Sequence, residues 1–223
     1  MLRPIECFKE GFELIKDQYW ILFAVTLVGA VIGGASLYVL LGAMMCGIFD
    51  CYIRKIDGET VQFETLFKGL DYFKPSLLLV AVIILPTIVV MALIYVPIIV
   101  AVAMGSKLSE DELITMFVGF GAVDLIVVVL MTCFHTLMMF SFPLLVDRKL
   151  SAWAAVKTSA RAVWKNLGGV AGLIGVGILI NLLGALACGV GAYFTVPIVL
   201  AGNVVAYRKL FPRDAYQGAG SYN

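Results

Sequence analysis

The chain has 223 residues, of which 62% are hydrophobic and 14% charged, with a formal net charge of +1. A soluble domain carries about 25% charged residues, so this composition excludes an ordinary water-soluble fold and makes lipid the solvent for most of the chain. No block of Lys or Arg exists to neutralise phosphates, which excludes a nucleic-acid partner.

Residues 4–18 come first. Arg3, Lys9 and Lys16 are mixed there with Glu6, Glu10, Glu13 and Asp17. Acids are foreign to the basic start of a signal peptide, so no cleavage is expected. Ile5, Phe8, Phe12, Ile15 and Tyr19 recur at three- and four-residue steps, the pattern of an amphipathic helix.

Four long apolar runs follow, at 18–55, 75–104, 112–146 and 167–210. A span needs about 20 apolar residues, so the first and last runs each read as two helices. Gly33-Gly34 breaks the first run and the stretch from Gly184 to Gly191 breaks the last. The expectation is six spans, near 19–33, 35–55, 75–104, 112–146, 167–187 and 189–210. The middle pair is longer than the bilayer core requires, and Pro86, Pro97 and Pro143 supply kinks. Ser109 and Glu112 form a capping box in the connection between them. Gly29, Gly33, Gly168, Gly169, Gly172, Gly175 and Gly177 permit close helix approach, and Asn181 and Asn203 can bridge helices.

Between the runs lie two more amphipathic segments. Residues 61–74 place Phe63, Leu66, Phe67, Leu70 and Phe73 on one face. Residues 152–167 do the same with Trp153, Val156, Ala160, Val163 and Trp164, after Ser151 as a cap. Fifteen of the sixteen Lys and Arg residues precede span one, separate spans two and three or four and five, or follow span six; Lys107 alone falls on the other side. The positive-inside rule then places both termini in the cytoplasm.

The fold class expected is therefore an all-α integral membrane protein. Six transmembrane helices form three hairpins, each preceded by a cytoplasmic interfacial helix, with pseudo-repeats at 4–55, 61–147 and 151–210. Residues 1–211 form one transmembrane domain and 212–223 a short polar tail.

Few residues can carry chemistry. Asp124 and His135 point almost the same way on an ideal helix, with Met131, Met138 and Phe142 on that stripe. They read either as a polar lane for a proton or ion, or as interhelical hydrogen-bonding groups. "MTCFHTLMM" (131–139) has soft donors, but Cys133 points away from His135, so no metal site is expected. The five cysteines are odd in number and scattered, and read as small buried hydrophobes. No nucleophile elbow, zinc-protease or nucleotide motif is present, so neither catalytic residues nor cofactors are expected. Lys157, Arg161 and Lys165, spaced by four, form a basic ridge suited to anionic headgroups, while Trp20, Trp153 and Trp164 suit interfacial anchoring.

"IRKIDGETVQFETLFKGLDYFKPSLL" (53–78) and "FPLLVDRKLSAWAAVKTSARAVWKN" (142–166) together resemble a family of uncharacterised bacterial multi-pass membrane proteins. They are also similar to the membrane domain ahead of some glycerophosphodiester phosphodiesterases. The resemblance implies a bacterial inner-membrane protein of about six helices and implies no activity. The matched positions, Gly58, Val61, Phe63, Leu66, Phe67, Gly69, Phe73, Pro143, Asp147, Arg148, Ser151, Ala155 and Ser159, read as architectural. The function expected is non-enzymatic packing with lipids or partner membrane proteins, a homo-oligomer among them. The alternative is a transporter or channel using the stripe on span four.

Overall fold

The computed structural model describes residues 2–103, 110–186 and 189–213. The capping box at Ser109, Lys107, Cys188 and the tail from 214 lie outside them. Among the described residues every regular element is a helix and none is a strand. The helices are α1 (Pro4–Ile15), α2 (Tyr19–Ala35), α3 (Leu41–Ile56), α4 (Phe73–Ala103), α5 (Glu110–Leu137), α6 (Ser141–Asp147), α7 (Ala152–Lys165), α8 (Leu167–Leu186) and α9 (Gly191–Leu210), with a 3₁₀ segment at Phe63–Tyr72. Three helical stretches are long and apolar enough to cross a membrane: Phe63–Val100, Val118–Asp147 and Leu167–Leu186. The pair α1 and α2, bent by 104°, passes that test together.

The core is built around α3. Ala43, Met44, Cys46, Ile48, Phe49, Cys51, Tyr52 and Ile53 are all buried. Protein elements surround this helix on most sides, with α2, α4, α6, α9 and residues 63–72 all packed against it. Glycines allow its neighbours to approach it backbone to backbone. An added Cβ at Gly47 would collide with the Leu66 carbonyl oxygen, and one at Gly69 with that of Ala43. This contact explains why residues 63–72 wind as a 3₁₀ helix and not as the expected α-helix. A three-residue period sets Leu66, Gly69 and Tyr72 on one line against α3, with Leu66 and Gly69 buried.

Two breaks differ from the expectation. Helix α2 runs through Gly33-Gly34, and the turn falls at 36–40, where Leu37 and Tyr38 adopt positive φ of 52° and 67°. Gly33 is instead occupied by packing against Leu41. Ser36 holds the turn: its hydroxyl donates to the Gly33 carbonyl and accepts from the Leu40 amide. The fourth expected span divides at 138–140 into α5 and α6. Pro143 has no N–H for the preceding turn, and Ser159 of α7 binds the broken end. Its hydroxyl accepts from the Phe140 amide at 3.1 Å and donates to the Leu137 carbonyl at 2.7 Å. Helix α4, by contrast, continues through Pro86 and Pro97. Gly189, at φ 75°, precedes α9, and Thr195 of α9 donates to Asn181 of α8.

Helix α1 does not lie alone at an interface. It and the residue pair before it pack into the glycines of α8 and α9: Leu2 on Gly169, Pro4 on Gly172, and Phe8 on Gly177 and Gly202. Gly11 meets the Ala201–Gly202 backbone, where an added Cβ would come within 2.7 to 2.8 Å.

Candidate functional site

The polar stripe of α5 faces α4. Tyr95 donates its hydroxyl to Asp124 at 3.2 Å. His135 Nδ1 lies 2.6 Å from the Met131 carbonyl and Nε2 lies 3.4 Å from the Thr87 hydroxyl. A carbonyl only accepts, so Nδ1–H donates to Met131, while the Thr87 hydroxyl beside Nε2 donates to the Ile83 carbonyl. Asp124 and His135 thus make separate bridges to the same neighbouring helix. Beside His135 opens an apolar groove of about 450 Å³, lined in part by Met91, Val127, Met131 and Ile174.

The basic ridge is on α7. Ser151 caps this helix as expected, its hydroxyl accepting from the Ala154 amide. The faces are distributed otherwise than the periodicity implied. Ala152, Ala155, Val156, Ser159 and Val163 are buried against the protein itself. Trp153 (58% exposed) and Trp164 (69%) do not share that side; they stand outward with exposed Lys157, Arg161 and Lys165. The small side chains make the protein contact because α7 must approach the α5–α6 break closely enough for Ser159 to reach it. The bulky tryptophans are left outside. The Lys157 ammonium sits 5.2 Å from the centre of the Trp153 ring, a cation–π contact that holds the ring beside the charge. Trp20, 70% exposed, belongs to a different aromatic group, with Tyr19, Phe23 and Phe194.

Sequence reasoning missed a cluster where the ends of α3, α6 and α9 meet. Arg208 donates to both oxygens of Asp57, at 3.0 and 2.9 Å, and to Asp147 at 3.1 Å. Tyr207 donates to Asp147 at 2.6 Å, and Arg213 to Asp57 at 2.5 Å. Arg148 pairs with Asp147 and donates to the Phe211 and Pro212 carbonyls. Both aspartate side chains are only 7% exposed. Burial pushes the Asp57 carboxyl above its ordinary range; Arg208 and Arg213 oppose this, and Asp147 adds to it. The signal was present: Arg-Lys recurs at 54–55, 148–149 and 208–209, closing α3, following α6 and closing α9. In the sequence these pairs read as topogenic charge, and Asp147 and Arg148 as architectural, with no pairing between them implied. Chemically the cluster is a clasp, since its acids and bases are engaged with one another.

Among the described residues no group of three His, Cys, Asp or Glu side chains is placed to hold a metal ion. Cys7, Cys46 and Cys51 are buried as small hydrophobes, while Cys133 is exposed. Comparison with family models, with curated proteins and with solved structures returns no match.

Proposed function

We propose that the chain is a non-enzymatic membrane protein that binds anionic lipid at its cytoplasmic face and acts as a scaffold or accessory subunit. In this reading α2, α3, α4, α5–α6, α8 and α9 cross a bacterial inner membrane as three hairpins. Both termini and α7 lie on the cytoplasmic side, and the three hairpins are repeats of one unit. The family resemblance of residues 53–78 and 142–166 belongs to the same proposal.

The observation that carries it is the outward face of α7. Two exposed tryptophans and three exposed basic side chains share one face of a helix whose other face is fixed to the core. Aromatic rings at headgroup depth beside Lys and Arg form an interfacial binding surface. The clasp supports a non-catalytic role, because its charges are spent on each other. The bridges of Asp124 and His135 to α4 leave the transport alternative with less support.

Each basic residue near an anionic surface contributes about 1 kcal/mol. Three contribute about 3 kcal/mol, or roughly 100-fold in affinity. Native mass spectrometry of the full chain, titrated with phosphatidylglycerol and phosphatidylcholine, tests this. Selective phosphatidylglycerol adducts are expected, and Lys157→Gln/Arg161→Gln/Lys165→Gln should lose most of the selectivity. Equal adducts of both lipids on the wild type would refute the proposal.

A further inference from the structure

Helices α5 and α8 flank a gap, making no more than incidental contact with each other. The gap is a groove of about 550 Å³ with apolar walls. Cys133, Thr136 and Leu137 of α5 form one wall, and Ala171, Gly175 and Ile178 of α8 the other. Trp164 of α7 stands at one end. Arg161 and Lys165, both exposed, lie on the same turn of α7 as Trp164. We propose that this groove is a binding site for one acyl chain of an anionic phospholipid whose headgroup lies on Trp164, Arg161 and Lys165. The inference rests on the headgroup reading above and adds to it the site of the chain.

Three features fit this occupant. The first is charge: the basic residues are at the Trp164 end, while the walls beyond it carry no ionisable group other than the thiol of Cys133. The second is length. Leu167 to Ile178 covers about 16 Å of helix axis at 1.5 Å per residue, close to half of a hydrocarbon core of about 30 Å. That is the depth of one leaflet, so a chain anchored at the Trp164 end reaches the far end of the groove without leaving its own leaflet. The third is shape. Gly168 and Gly175 have nothing within 4 Å of where a Cβ would stand, unlike Gly169, Gly172 and Gly177 on the side of the same helix that packs on α1. The glycines of α8 therefore serve two faces: one takes the side chains of α1, and the other remains hollow. Ala171 and Gly175, seven and eleven residues after Trp164, keep that hollow open to something the protein does not supply. The volume lies within the range of about 300–1,000 Å³ typical of small-molecule sites.

The open space also gives a clean test, since a Cβ at Gly175 meets no protein atom within 4 Å and the substitution removes a helix-destabilising glycine. The full chain is reconstituted with phosphatidylglycerol or phosphatidylcholine carrying a photoactivatable diazirine midway along one acyl chain, irradiated and digested. The expected result is phosphatidylglycerol label concentrated on 132–137 of α5 and 171–178 of α8. Gly175→Phe should cut that label at least tenfold while leaving phosphatidylglycerol adducts in native spectra. Ala171→Phe is a second blocking variant should the first not fold. Label spread evenly over the exposed faces of α4 and α5 would overturn the groove, as would groove label unchanged by both blocking variants. If phosphatidylglycerol selectivity persists in that case, the headgroup reading stands and the groove alone is wrong. Equal groove label by both lipids would instead remove the basic ridge, and the proposed function with it.

Discussion

Arg208 ties three helix ends together, because Asp57 and Asp147 reach it from two other helices' ends. Removing one member of a buried ionic group costs about 3–5 kcal/mol, since the charges left behind have lost their compensation. Arg208→Met should therefore lower thermal stability in detergent by that order. Asp57→Asn should cost less, because burial already favours the neutral carboxyl and Asn resembles it. The sign with pH follows. A carboxyl raised in the folded state stabilises the fold below its unfolded value, about 3.9. It loses that contribution as pH rises through the folded value. Thermal melts should show wild type gaining on the Asp57→Asn variant as pH falls towards 4. A constant difference would mean that burial does not perturb Asp57. None of this was legible in composition: Asp57 and Asp147 are 90 residues apart in the chain, and only folding brings them to one guanidinium.

At the scale of elements, glycine spacing was informative while glycine partners were not. Gly169, Gly172 and Gly177 signalled a close helix contact, yet the helix that fills them is the charged first segment, which in the sequence reads as an interfacial helix. Periodicity reports that one face is apolar and does not say whether lipid or protein covers it. The same limit explains α7. Its small residues and its tryptophans count alike as apolar in the pattern, but only Ala, Val and Ser allow the approach that lets Ser159 bind the α5–α6 break. The 3₁₀ segment was misread for a related reason: the decisive atom is a missing Cβ at Gly69. Gly11→Val puts side-chain atoms against the Ala201–Gly202 backbone. It should cost about 1–3 kcal/mol and release α1 from α9. Hydrogen exchange of residues 4–15 should rise in that variant with little change in α3–α6. Unchanged exchange would show that α1 is held by other contacts.

For the whole molecule, an all-helical fold with helices long and apolar enough to cross a membrane was legible from composition and run length alone. Three helical stretches meet the length and polarity required of a span by themselves. Helices α2 and α3, at 17 and 16 residues, are short for a bilayer, and α9 ends in Arg208-Lys209. Their crossing is proposed with the hairpin plan. The clasp gathers the ends of three helices at one pole, and the surface of α4 and α5 away from it remains largely exposed and apolar. A packed hub bearing an amphipathic Trp and Lys face fits a protein that holds position against a lipid surface.

Trp153 and Trp164 report lipid contact at the outward face of α7. In a Trp20→Phe background their fluorescence is recorded in vesicles containing acyl-brominated phosphatidylglycerol or acyl-brominated phosphatidylcholine at equal mole fraction. The account predicts stronger quenching by brominated phosphatidylglycerol, with the excess lost in the Lys157→Gln/Arg161→Gln/Lys165→Gln variant. Equal quenching by the two lipids in the unsubstituted α7 would contradict it.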